Sequence, residues 1–83
     1  MKKTNIDKKV IQLISKCFKI NKSKVNTKTS SKDVKKWDSI GQIKLILQIE
    51  QSFKIRIPQN KFTKLISVRL ISDYLLKKIK WKI

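Results

Sequence analysis

Apolar positions along the chain recur at helical spacing in three stretches separated by polar segments. In residues 5–19, Ile6, Val10, Ile11, Leu13, Ile14, Cys17 and Phe18 lie on one side, within an arc of roughly 160° at the helical period. Lys8, Lys9, Gln12, Ser15, Lys16 and Lys19 lie opposite, so the spacing predicts a one-faced helix. A last helix over 68–79 sets Val68, Ile71, Leu75 and Ile79 three or four residues apart, with Ser67 placed as its N-cap. Residues 60–65 have room for one further short helix carrying Phe62 and Leu65. Pro58 separates that turn from 54–57, which is too short and isolated to build a sheet.

The middle helix, over 39–53, carries too many apolar residues for one face. Counted from Ile40, the residues Leu45, Ile46, Ile49 and Phe53 lie between about 140° and 240°, while Ile43 and Leu47 fall with Ile40 between about 300° and 360°. Two arrangements answer this: a central helix covered on most sides, or an apolar patch of Ile40, Ile43 and Leu47 that meets a partner or cargo. The Asp38-Ser39 pair at the helix start favours the second.

The predicted fold is therefore all-α, in a single domain spanning 1–83. At 83 residues its core can be only modest. Residues 21–37 form a long loop; within it 21–36 is rich in Asn, Lys, Ser and Thr, and has no apolar residue between Val25 and Val34. A long ordered loop in a small domain usually has a task. With no His and one cysteine, Cys17, the chain cannot build a zinc finger, a Cys–His nucleophile pair or an internal disulfide. That cysteine usage fits a reducing compartment, and a cytoplasmic location is expected. No stretch is long or apolar enough to cross a bilayer, and Asp7, Lys8 and Lys9 stand where a signal peptide would need its apolar core.

Charge is the compositional outlier: 22 Lys+Arg against 5 Asp+Glu, a formal net charge of +17. Part of this is codon drift, since 20 Lys, 14 Ile and no Ala are what an AT-rich genome produces. The single glutamate, Glu50, is not explained that way. Nucleic acid and anionic membrane are the partners such a charge first suggests. Yet the lysines are spread over every segment, and two Arg with few aromatics offer little for base reading or stacking. Non-specific polyanion binding is expected, and no specific nucleic-acid partner. A membrane version would use Trp81 and Ile83 with the C-terminal lysines as a surface anchor.

Ser39 begins the middle helix, where unpaired backbone N–H groups and the positive end of the helix dipole would stabilise a phosphate ester on its hydroxyl. Taken alone, the pair signals no more than an N-cap, the commonest role of Asp and Ser at such a place. The wider order is more specific. Asp38-Ser39-Ile40, then Leu45, Ile46, Ile49, Glu50, Phe53, Ile55, Ile57-Pro58, Phe62, Leu65, Ser67-Val68, Ile71 and Asp73-Tyr74-Leu75 resembles the acyl carrier protein family. The run Trp37-Asp38-Ser39-Ile40-Gly41 is similar to the Trp-Asp-Ser-Leu-Gly opening of many stand-alone carriers. Val10, Leu13, Ile14, Phe18, Ile20 and Val25 extend the likeness through the N-terminal half.

The resemblance implies a right-handed bundle of three main helices plus a short one, monomeric, with no catalysis by the chain itself. It implies 4′-phosphopantetheine on Ser39, transferred from coenzyme A by a separate Mg²⁺-dependent phosphopantetheinyl transferase, with Asp38 assisting that metal-dependent step. The thiol of the arm would hold an acyl or aminoacyl cargo, supplied by a loading enzyme and passed on by an acyltransferase. Ile40, Ile43 and Leu47 would contact partners or cargo; Leu45, Ile46, Ile49 and Phe53 would be core. One departure is plain. Where the family carries acids for docking, this chain has Lys44, Gln51, Ser52, Arg56, Gln59, Asn60 and Lys61, with Glu50 the one acid kept. Like charges repel across an interface. Enzymes with basic docking patches should be poor partners, and a dedicated partner with an acidic surface, meeting Lys44, Arg56 and Lys61, is expected in a specialised pathway. The alternatives are a polyanion-binding protein and an unmodified interaction module of the same fold.

Overall fold

The computed structural model describes the backbone of residues 3–82 and the side chains of 5–78. Its helices are α1 (Lys3–Phe18), α2 (Ser39–Phe53) and α3 (Val68–Lys82), joined by segments that contain two 3-10 turns, Lys22–Lys24 and Gln59–Lys61. Among the described residues there is no strand, only an isolated antiparallel bridge between Ser30 and Ser67. The architecture is an all-α bundle. The expected core position Ile79 and the proposed anchor Trp81 and Ile83 lie outside the described side chains.

α1 buries Ile6, Val10, Leu13, Ile14 and Phe18, and packs on both α2 and α3. Lys19 ends it in the left-handed conformation at φ 54°, so that the Ile20 N–H bonds back to the Ser15 carbonyl at 3.0 Å. α2 ends the same way: Lys54 has φ 53°, and the Ile55 N–H reaches the Glu50 carbonyl at 3.2 Å. α3 starts at a Ser67 hydroxyl that accepts from the Leu70 N–H at 3.1 Å, the N-cap expected there. It contributes Val68, Ile71 and Leu75 to the core, each fully buried.

Two connections complete the bundle. The short helix expected over 60–65 is a 3-10 helix, Gln59–Lys61, beginning after Pro58 and followed by a turn in which the Lys64 and Leu65 N–H groups reach the Lys61 carbonyl at 3.0 and 3.3 Å. Its carbonyls at Phe62 and Leu65 are held by a side chain of α2. The polar loop before α2 is ordered throughout. Val25, Thr29, Val34 and Trp37 are buried in it, and its backbone is tied to the start of α3 by Ser31 N–H to the Ile66 carbonyl (2.8 Å) and Val68 N–H to the Thr29 carbonyl (2.9 Å). Asn26, Ser30 and Asp33 close its bends by side-chain bonds to nearby N–H groups. Few residues need be apolar when short polar side chains satisfy the bends.

Candidate functional site

The loop delivers Trp37 and Asp38 to the start of α2. Trp37 is buried and stacks on Phe18 of α1, with ring centroids 5.7 Å apart and planes 29° apart. Asp38 is extended and caps the helix: its Oδ1 accepts from the Gly41 N–H at 2.8 Å, and its carbonyl accepts from the Gln42 N–H. Ser39 is thus the first residue of α2, exposed, with its hydroxyl outside the cap. Gly41 makes this entry possible. A Cβ there would stand 2.1 Å from the Lys36 carbonyl oxygen and 2.9 Å from Phe18, so only glycine lets the loop backbone lie this close to the helix.

Gln42 locks the arrangement. It is 7% exposed, accepts from the indole Nε1–H of Trp37, and donates through Nε2 to the carbonyls of Phe62 (2.6 Å) and Leu65 (2.8 Å). One side chain therefore joins the loop before α2 to the segment after it. Between them lies a cleft of about 480 Å³ whose lining includes Ser39, Ile43, Gln59, Phe62, Thr63 and Ile66.

The surplus apolar face of α2 is uncovered. Ile40 is 67% exposed, Ile43 49% and Leu47 51%, while Leu45, Ile46 and Ile49 are fully buried. The question left open by spacing is decided in favour of a patch. Ser39 stands at one end of it, and Ile43 belongs to both patch and cleft. Phe53, expected in the core, is half-buried at its edge.

Charge around the patch is positive. Lys44 and Arg56 are exposed and Lys61 half-buried. Glu50 does not offset them outwardly: its Oε2 accepts from the Ile57 N–H at 2.8 Å, which spends the carboxylate on holding the chain after α2. Burial pushes the Cys17 thiol of α1 above its ordinary value, and Lys44 pulls it partly back. Among the described residues no group of His, Cys, Asp and Glu could hold a metal ion, and no helix is long and apolar enough to cross a membrane.

No protein-family model matches the chain. It is, however, similar to curated proteins along almost its whole length. It is 34% identical over 76 residues to an acyl carrier protein of Buchnera aphidicola, covering 92% of this chain and 96% of that one. The chain belongs to the acyl carrier protein family. Acyl carrier proteins of Chlorobium phaeobacteroides and Chlorobium phaeovibrioides are each 28% identical over 78 residues, which is 94% of this chain and all of theirs.

Of the residues singled out in sequence, Asp38, Ser39, Ile40, Ile43, Lys44 and Leu47 stand together at and along α2 of this family member. Arg56 and Lys61 lie on the segment that follows. Gln42 was missed. Its signal was present, because at about 200° from Ile40 it falls inside the buried arc of α2, where an amide must find partners.

Proposed function

We propose that the chain is a non-catalytic carrier whose Ser39 hydroxyl takes 4′-phosphopantetheine and presents an acyl or aminoacyl thioester to partner enzymes. The observation that carries this reading is the exposed hydroxyl at the first residue of α2, at the mouth of the cleft and beside the uncovered Ile40–Ile43–Leu47 face. The residues fit such a group. By helix geometry the N–H groups of Ser39 and Ile40 have no carbonyl in their own helix to bond, so they remain available to a phosphate oxygen. The cleft walls of Ile43, Phe62 and Ile66 suit an apolar chain next to it. When bound, the arm supplies a thiol for thioester formation; the protein supplies placement. Asp38 keeps Oδ1 on the Gly41 N–H, so a transferase-bound Mg²⁺ would be met by the other oxygen.

The basic surface supports a particular class of partner. Lys44 lies beside the patch on α2, Arg56 and Lys61 follow on the segment after it, and the one glutamate is turned onto the backbone. A loading enzyme or acyltransferase with an acidic docking surface suits this face, and one with a basic surface does not. That favours a specialised pathway over general fatty acid synthesis, in the cytoplasm.

Intact mass after incubation with coenzyme A, Mg²⁺ and a broad-specificity phosphopantetheinyl transferase tests the attachment. A gain of one phosphopantetheine, absent in Ser39→Ala, is expected. No gain with any transferase, including that of the native host, would leave an unmodified interaction module or a polyanion binder. Loading and elongation by general fatty acid synthase components as fast as on an acidic carrier would refute the partner assignment.

A further inference from the structure

A second concave surface, whose lining does not include Ser39, lies between the segment 61–65 and α3. This trough of about 750 Å³ has an apolar floor of Leu65, Leu70 and Tyr74. Leu70 is 46% exposed, on the side of α3 turned away from the buried Val68, Ile71 and Leu75. The rim is cationic on both sides, with Lys61 and Lys64 from the turn segment and Lys77 and Lys78 from α3. The carboxylate among the lining residues, Asp73, already has an interaction of its own. Tyr74 carries the Lys78 ammonium 5.8 Å from its ring centroid, and its hydroxyl is buried without a hydrogen-bond partner.

The geometry points to a docking site for an acidic amphipathic helix of a partner protein, which shares only Lys61 with the docking face proposed around Ser39. Leu70 and Tyr74, four residues apart, lie on one side of α3, and Leu65 of the facing segment continues the floor beside them. Such a floor accepts the ridge of another helix. Charge complementarity selects which helix: apolar residues at i, i+3, i+4 and i+7 fill the floor, and glutamates on both flanks meet the two lysine pairs. A nucleic acid suits the trough less well, because the rim offers ammonium groups without arginine forks. A lipid surface suits it less well too, since a membrane is entered by protruding apolar side chains and this surface is concave.

The test uses the full chain and a fluorescent synthetic peptide of about 18 residues, five helical turns, with that Leu pattern and Glu flanks. Saturable binding by anisotropy near physiological ionic strength is expected, weakened about tenfold or more by Lys64→Glu/Lys77→Glu and by Leu70→Ser. The control Lys8→Glu/Lys9→Glu removes the same charge from the exposed face of α1, and should change affinity less than about twofold. Equal weakening by both lysine pairs would reduce the effect to net charge and overturn the proposal. So would undiminished binding of a Glu→Gln peptide. Binding of the trough variants to anionic phospholipid vesicles, lost in parallel while the peptide never saturates, would replace the helix by a membrane. The outcome is separable from the fate of Ser39: Lys64→Glu/Lys77→Glu should still accept phosphopantetheine, and Ser39→Ala should still bind the peptide.

Discussion

Replacing Gln42 by leucine removes a side chain that ties the loop before α2 to the segment after it. Three groups lose their partner: the Trp37 indole N–H, the Leu65 carbonyl and the Phe62 carbonyl. The first two bonds are buried, and a buried polar group left unpaired costs about 1–3 kcal/mol. The Phe62 carbonyl is only partly buried and recovers most of its loss from water. Two stranded groups thus cost about 2–6 kcal/mol, and burying leucine in place of an amide returns about 1–2 kcal/mol. A net loss of about 0–5 kcal/mol follows, with a mid-range of about 2.5 kcal/mol, which in a domain this size lowers the melting temperature by about 10–20 °C. Urea unfolding followed by far-ultraviolet circular dichroism measures it, with the exposed Gln48→Leu as a control expected within about 0.5 kcal/mol of wild type. Gln42→Glu sharpens the reasoning. Its carboxylate keeps the Trp37 bond but faces two carbonyls with no donor, so at neutral pH it should lose more than leucine does. It should regain stability as the pH falls and the carboxyl is protonated, because that group's folded pKa is raised. If Gln42→Leu unfolds within about 0.5 kcal/mol of wild type, the clamp does not hold the site together.

Gly41→Ala gains about 1 kcal/mol of helix propensity but drives a methyl into the Lys36 carbonyl. A net destabilisation of about 1–3 kcal/mol and slower transfer of phosphopantetheine to Ser39 are expected; a stabilised variant would contradict the close approach. Lys19→Gly relieves a left-handed residue at the end of α1, and should stabilise by about 0.5–1 kcal/mol in thermal unfolding. Because burial raises the Cys17 thiol, the folded chain holds that proton to higher pH than the unfolded chain. The stability of wild type relative to Cys17→Ala is therefore full below the ordinary thiol value and declines as pH rises through the folded one. Lys44→Glu should also slow alkylation of Cys17 at fixed pH, since Lys44 favours the thiolate; an unchanged rate would separate the two groups.

The helices were legible because periodicity is a property of neighbouring positions. Ile6, Val10, Leu13 and Ile14 share a face of α1 whatever else the chain does, and Asp38 caps α2 through a bond three residues long. The ordered set from Trp37 to Leu75 was legible as a family likeness for the same reason, since it is a pattern along the chain. The long-range bonds that fix the turn at 59–61 and the polar loop were not. They run from the Gln42 amide and between the backbones of 29–31 and 66–68, joining partners distant in sequence.

By itself the sequence determined where α2 begins, which residues stand at its head, and that it carries more apolar surface than one face can hold. Only the tertiary structure decided where the surplus goes. α1 covers the side of α2 bearing Leu45, Ile46 and Ile49, and leaves Ile40, Ile43 and Leu47 in the open beside Ser39. Burial is a relation between elements, so no count of apolar residues within one helix settles it. Charge divides in the same way. The excess of lysine can be counted in the chain, but that Glu50 spends its carboxylate on the Ile57 N–H depends on a fold that brings α2 back onto its own exit.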